Sequence, residues 1–341
     1  VRENVGILDS SGFSRFEVKG KGASSWLNHA STVFPLTSRI LFSVLQPLIF
    51  RSVISWKEPK SIFKLSDKGI SKVIGNNELF KAKNFASTEV ISFESFDGAE
   101  IFGLLIKPHD FDPNKKYPLL IRIHGGPVSQ YGVRFNMEWQ IFASNGYLVL
   151  AVNPRGSSGR GEEFQKAIFA DWGNVDAKDI IAAADFIVEK AYVDSARLGI
   201  GGWSYGSMLT NYVIASDSRF KAATSGAGIS NILSGFGDDH YIREYISELG
   251  TPWENLDVWM RISYPFFEAD TIITPTLFLV GEKDFNVPLI GSEQMYQALR
   301  HNNIDTKLLI YPGEHHGLSK PSNRTHRMDS YLDWYARYLD N

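Results

Sequence analysis

Ser204 stands at the centre of Gly202-Trp203-Ser204-Tyr205-Gly206, with an apolar run at residues 198–201 before it and a stretch of helical character after it. A serine on a sharp strand-to-helix turn is presented for nucleophilic attack, and glycines two residues to either side let neighbouring backbone come close. The helix that follows turns free N–H groups and its positive dipole end toward negative charge developing at that point. A glycine-rich turn without chemistry carries the same letters, so the pattern needs partners. His124-Gly125-Gly126-Pro127, directly after the apolar run 119–123, supplies one set. Its glycines allow a backbone N–H to face a substrate carbonyl oxygen, which makes Gly126 and Tyr205 the candidate oxyanion donors. His124 itself reads as a structural residue and not as the base. Asp284 lies in Gly281-Glu282-Lys283-Asp284-Phe285-Asn286-Val287-Pro288 after the run 276–280, and His316 lies in Pro312-Gly313-Glu314-His315-His316-Gly317 after the run 307–311. A histidine within reach of the serine would take its proton, and an acid behind it would fix the imidazole tautomer and stabilise the imidazolium. Glu282 and His315 are the rival acid and base, and strand spacing does not choose between the pairs.

These groups converge only if their strands lie side by side. From about residue 86 the pattern is strand, loop, helix, repeated. Residues 90–93 and 101–106 read as a hairpin around Asp97-Gly98, and 119–123, 147–152, 198–201 and 276–280 as buried strands, with 222–225 and 307–311 as weaker candidates. Helical stretches fall at 135–144, 177–190, 207–214, 294–300 and 324–339. Such alternation implies a mainly parallel sheet with helices on both faces, whose ligands sit at the carboxyl ends of the strands. Nucleophile, acid and base in that chain order, each past the end of a different strand, is the arrangement of the α/β-hydrolase fold. Residues 1–84 have a different grammar. Short β segments at 16–18, 33–34, 39–44, 49–56 and 61–65 are punctuated by turn residues. The expected division is a β-rich segment, 1–84, and a catalytic domain, 85–341.

Composition narrows the classes. The chain has 341 residues, 43% hydrophobic and 21% charged, no cysteine, and a formal charge of −3. The length suggests about two domains. The balance is that of a globular protein, not of a disordered, collagen-like or coiled-coil chain. Slight acidity leaves no electrostatic footprint for nucleic acid. Without cysteine there is no disulfide scaffold, thiolate zinc site or cysteine nucleophile, and no metal or cofactor is expected. Residues 41–50 are too few to span a membrane and contain Pro47, so they read as a buried strand pair with a turn. No signal-peptide pattern opens the chain, which leaves the cytoplasm as the default location. It opens on Val1 and not Met, as a processed protein or a piece of a longer one would. The lysines scattered over 57–83 read as a solvated sheet face.

The motifs together resemble the prolyl oligopeptidase family of serine peptidases, and within it the acylaminoacyl-peptidase and dipeptidyl-peptidase-like branch. The resemblance rests on His124-Gly125-Gly126-Pro127, Asn153-Pro154-Arg155-Gly156-Ser157-Ser158-Gly159, Gly202-Trp203-Ser204-Tyr205-Gly206, Glu248-Leu249-Gly250-Thr251-Pro252-Trp253-Glu254, and the loops of Asp284 and His316. It covers the chain from about residue 86 onward. It implies a triad of Ser204, Asp284 and His316, because the family's catalytic histidine directly precedes a glycine and its acid precedes the Asn-Val-Pro segment. It implies that residues 1–84 match only the last blade or so of a β-propeller plus a linker. It also places the first specificity pocket at 232–245, with Phe236, Tyr241 and Tyr245 as candidate walls. One departure is His124, where prolyl oligopeptidase and dipeptidyl peptidase relatives usually carry a tyrosine whose hydroxyl serves the oxyanion. The acylaminoacyl-peptidase branch shares that departure.

The expected activity is hydrolysis of short peptides through an acyl-enzyme. The alternatives are a carboxylesterase using the same triad, and an assembly role in which the exposed edges of the N-terminal β segment pair into a homo-oligomer. Outside the triad, Arg155 is expected in an ion pair. Asp176 and Asp179 are expected to pair with arginines or to cap their helix. Tyr331, Trp334, Tyr335 and Tyr338 are expected to pack in the core.

Overall fold

The sheet that positions the site begins where the short β segments end. The computed structural model describes residues 85–340 in full and, before them, the backbone of six strands. The chain divides into two compact units, Val1–Phe85 with Val133–Met137, and Ala86–Gly132 with Glu138–Asn341. In the first, β1 (Gly6–Asp9) pairs antiparallel with β2 (Phe16–Lys19). Strands β3 (Leu41–Leu45), β4 (Leu48–Val53), β5 (Ser61–Ser66) and β6 (Gly69–Ile74) form a four-stranded antiparallel sheet in chain order. The pair expected at 41–50 is β3 with β4, where Leu45 faces Leu48. The segment expected at 33–34 and the side chains of the 57–83 lysines lie outside the described residues.

The second unit is an eight-stranded sheet. Its strands are β7 (Thr88–Glu94), β8 (Glu100–Ile106), β9 (Tyr117–Ile123), β10 (Leu148–Asn153), β11 (Val193–Trp203), β12 (Ala222–Gly226), β13 (Thr276–Gly281) and β14 (Thr306–Tyr311), in the spatial order β14-β13-β12-β11-β9-β10-β8-β7. The six from β14 to β10 run parallel, and the hairpin β7–β8 adds antiparallel at one edge. Central strands covered on both faces read as unbroken apolar runs, and Leu119–Ile121 and Leu148–Val152 are fully buried. The helices of eight or more residues are α1 (Met137–Ser144), α2 (Val175–Val188), α3 (Tyr205–Ser216), α4 (Ile242–Leu249), α5 (Leu289–His301) and α6 (Pro321–Leu339). Helix α2 buries Ala177, Ile180, Ala183, Ala184 and Ile187, a stripe at helical spacing that shares one core with Leu209 and Val213 of α3 and Met295 and Leu299 of α5. Helices α1 and α6 meet through Phe142 and Tyr335, with ring centroids 5.8 Å apart. Of the four aromatics expected in the core on α6, Tyr331, Trp334 and Tyr335 are buried, and Tyr338 is half-buried with its hydroxyl on Asp305.

Every expected strand from residue 86 onward is present, and so is every expected helix. Two helical features depart from expectation. Helix α5 starts five residues earlier than its apolar period suggests. Its first turn carries Gly291 and Ser292, poor local signals, but a side chain at 291 would come within 2.8 Å of the Gly228 carbonyl oxygen, so packing and not propensity selects the residue. Helix α4 has no counterpart among the expected helices; only Tyr245 and Leu249 of it are buried. Among the described residues no helix is long and apolar enough to cross a membrane.

Candidate active site

Ser204 terminates β11 and caps α3 with φ 62° and ψ −129°, a left-handed backbone that a non-glycine residue rarely adopts. The turn closes through the Ser204 N–H, which donates to the Gly226 carbonyl at 2.8 Å, and through the Ser207 and Met208 N–H groups, which donate to the Ser204 carbonyl. Glycine is required on both sides. A Cβ at 202 would lie 2.4 Å from the Gly206 carbonyl carbon, and one at 206 would lie 2.2 Å from the Ile123 oxygen. The end of β9 therefore presses directly on the turn that projects the serine.

His316 Nε2 lies 2.9 Å from Ser204 Oγ, and its Nδ1 lies 2.8 Å from Asp284 Oδ2. An ionised carboxylate can only accept, so Nδ1 carries the proton and Nε2 offers its lone pair to the serine hydroxyl. The Asp284 side chain is fully buried, and its other oxygen accepts the N–H groups of Asn286 and Val287 at 2.9 Å each. The His316 loop is clamped by Glu314. That carboxylate accepts from the Ser319 N–H and hydroxyl at 2.8 Å, the Lys320 N–H at 3.0 Å and the Asn323 amide at 2.7 Å. These donors, the Ser319 N–H foremost, hold it down at about 2. On the other side the Trp203 indole N–H donates to the His316 carbonyl at 2.8 Å. The rivals are elsewhere: exposed Glu282 accepts from the Gly313 N–H, and exposed His315 stands beside Phe285.

The loop of Gly125 and Gly126 lies over Ser204. A Cβ at Gly125 would sit 3.2 Å from Ser204 Cβ and 3.8 Å from Oγ. Tyr205 is the first residue of α3, where a backbone N–H has no acceptor within the helix. His124 is buried, with Nε2 on the Ser157 hydroxyl and Nδ1 on the Gly125 carbonyl, both at 2.8 Å. The segment after β10 supports this loop. The Asn153 side chain pairs with both backbone groups of Tyr131, and the Ser158 N–H donates to the Ser129 carbonyl. Arg155 is ion-paired as expected, with Asp179 at 2.7 Å and Asp97 at 2.5 Å. Asp179 therefore meets its arginine.

Asp176 meets the other half of the expectation, in the first turn of α2 with its carboxylate on the Ala177 N–H. Fully buried, it touches no cation among the described residues, and it accepts instead from the Tyr205 hydroxyl and the Gly173 and Ala177 N–H groups. Of the two carboxylates only Asp179 meets Arg155, while Asp176 faces Tyr205 at the start of α3. Burial pushes the Asp176 carboxyl up to about 6 against the pull of those three donors.

The candidate pocket walls form an aromatic cluster. Phe236 meets Trp259 and Trp253 edge-on, and Tyr245 packs on Trp259 while its hydroxyl donates to Asp239 at 2.6 Å. Tyr241 is tied to the acid loop by the Asn286 amide at 3.4 Å. Sequence reasoning did not single out Glu314, Trp203, Asn286 or Ser157 as supports. Only the loop motifs that contain them signalled anything, since their contacts span distant segments.

Known proteins are similar to this chain in the same region. The sequence profile of the prolyl oligopeptidase family matches residues 133–341. An uncharacterized peptidase of Bacillus subtilis, YuxL, is 33% identical over 77% of this chain and 41% of its own length. Dipeptidyl-peptidase 5 of Schizosaccharomyces pombe is 31% identical over 74% of this chain and 38% of its own. The structure of Pyrococcus horikoshii acylaminoacyl peptidase superposes with a TM-score of 0.82 and 28% identity, covering 89% of this chain and 50% of that one. The chain thus spans about two fifths of the length of the curated relatives it matches. With its second unit built as an α/β-hydrolase, the chain belongs to the prolyl oligopeptidase family.

Proposed function

We propose that the chain is a serine peptidase that hydrolyses short peptides through an acyl-enzyme, with Ser204, His316 and Asp284 as nucleophile, base and orienting acid. The observation that carries this reading is the unbroken line of hydrogen bonds from Ser204 Oγ through the imidazole to Asp284. Ser204 Oγ attacks the scissile carbonyl carbon as His316 Nε2 takes its proton, and Asp284 stabilises the imidazolium. The Gly126 and Tyr205 N–H groups receive the oxyanion. Collapse breaks the C–N bond, and His316 returns the proton to the leaving amine. Water then attacks the acyl carbon with His316 again as base, releasing the acid and restoring the serine.

Peptides are favoured over esters as substrates because YuxL, dipeptidyl-peptidase 5 and acylaminoacyl peptidase are all named as peptidases. Phe236, Tyr241 and Tyr245 are read as walls of the first specificity pocket, supported by the tie from Tyr241 to Asn286 in the acid loop. The four-stranded antiparallel sheet β3–β6 supports reading the first unit as a propeller blade. A fluorophosphonate probe is expected to label the full chain at Ser204, and Ser204→Ala is expected to abolish both labelling and turnover. Aminoacyl and N-acetyl-aminoacyl anilides compared with short-chain p-nitrophenyl esters test the substrate class. Turnover confined to esters would overturn the peptidase reading, and an active Ser204→Ala protein would overturn the site.

A further inference from the structure

Two residues flank the nucleophile, and each carries its polar tip to a different partner. Trp203 reaches the His316 loop, whereas Tyr205 reaches into the protein to Asp176. Both members of the second pair are deeply buried, Asp176 at 0% and Tyr205 at 3% exposure. Asp176 stands in the first turn of α2 and Tyr205 opens α3, so the contact joins the starts of two helices. The N–H of Tyr205 is also the one placed to receive an oxyanion. A carboxylate buried without a cation is unfavourable to folding, so its contribution is to be sought in what it holds. We propose that Asp176 is a positioning residue for the oxyanion hole, acting through the Tyr205 hydroxyl to fix the Tyr205 backbone N–H beside Ser204. This rests on the serine-hydrolase reading of the site.

The mechanics are local. The Asp176 carboxylate is itself immobilised by the N–H groups of Gly173 and Ala177, at 3.2 and 3.0 Å. A phenol gripped at its far end cannot swing, and the helix start that carries it cannot roll. Oxyanion stabilisation depends on donors already in place when charge develops, so a small rotation of one N–H weakens it while leaving ground-state binding intact. The titratable groups facing Asp176 are Tyr205 and Tyr212 of α3, Tyr264, and Asp179 of its own helix, which Arg155 neutralises. Burial, together with the Asp176 charge, keeps the Tyr205 phenol protonated. The phenol is therefore a fixed donor, and Asp176 is the member whose ionisation changes near pH 6. The ionised form is the strong, charged acceptor that holds Tyr205; protonation removes the charge and sets a proton among three donors, which weakens that hold.

The test uses the full chain, with the rate of labelling by an alkyl fluorophosphonate and the turnover of p-nitrophenyl butyrate followed from pH 4.5 to 8.5. Tyr205→Phe and Asp176→Asn are each expected to lower kcat about tenfold with little change in KM. The double variant should fall no further than either single one, because both remove one link. In wild type the acid limb of kcat should carry an ionisation near pH 6 from Asp176, and Asp176→Asn should remove it. Circular dichroism and thermal melts on each variant separate loss of positioning from loss of fold. If wild type is labelled at Ser204 while both folded variants match it in kcat and pH profile, the positioning role is wrong and the reading of the site stands. Effects confined to Tm, or additive losses in the double variant, also overturn it. If wild type is neither labelled nor active, the site reading fails and takes this inference with it.

Discussion

On the histidine side of Ser204, Glu314 collects four hydrogen bonds from Ser319, Lys320 and Asn323 and stays ionised down to about pH 2. On the Tyr205 side, Asp176 collects three from Tyr205, Gly173 and Ala177, yet burial lifts it to about 6. Both side chains are almost wholly enclosed. The difference lies in the balance between donors and desolvation, since neither is ion-paired among the described residues. Three residues along α2, Asp179 is equally buried and has the Arg155 guanidinium. Burial alone therefore says little about a carboxylate's charge; the partners that the fold brings to it decide.

Asp284→Asn should have the largest effect, because an amide at that position favours the wrong imidazole tautomer. A fall in kcat of about 10³–10⁴-fold with the fold intact is expected, measured by steady-state turnover. Glu314→Gln comes next. It replaces an acceptor oxygen by a donor among donors, so the Tm at pH 7 should drop by about 5 °C and kcat should fall several-fold.

The pH dependence of stability then separates the two sides. Glu314 has a depressed pKa, so its contribution is present above its ordinary range near 4.5 and lost as pH falls toward 2. The Tm gap between wild type and Glu314→Gln should shrink on acidification. Asp176 has a raised pKa, so its contribution is full below 3.8 and lost as pH rises through about 6. The Tm of Asp176→Asn relative to wild type should move in the variant's favour by about 5 °C between pH 4 and 8. Two curves moving in the same direction would break the contrast. The smallest effect is expected at His315→Ala and Glu282→Gln, less than about 2-fold in kcat, because neither residue joins the hydrogen-bonded line.

Much of this was legible in the residues. The strands of the sheet announce themselves as apolar runs because both faces are covered, and the glycines at 202 and 206 announce a turn that tolerates no Cβ. Arg155 and Asp179 met as an ion pair, as charge required. Helix α4 does carry a helical period, with apolar residues at Ile242, Tyr245, Ile246 and Leu249, but it is only eight residues long and buries only Tyr245 and Leu249, so the expectation placed pocket walls there and no helix. The fate of Asp176 was not legible. Asp176 and Asp179 are the same residue type one helical turn apart, and nothing local distinguishes the one that meets a guanidinium from the one that meets a phenol.

The sequence by itself determined the order and type of the chemical groups: a serine on a glycine-flanked turn, an acid and a histidine each past a strand end, and a glycine pair able to approach them. These are covalent and local facts, set by residue type and by the period of the chain. Strand spacing left open which histidine meets the serine and which acid meets the histidine; the motifs implied His316 and Asp284 only by resemblance, and the contacts themselves exist only in the tertiary structure. The tertiary structure also decided what each buried carboxylate faces. Hydrogen bonding and desolvation act over a few ångströms between segments far apart in the chain, and no local pattern encodes them.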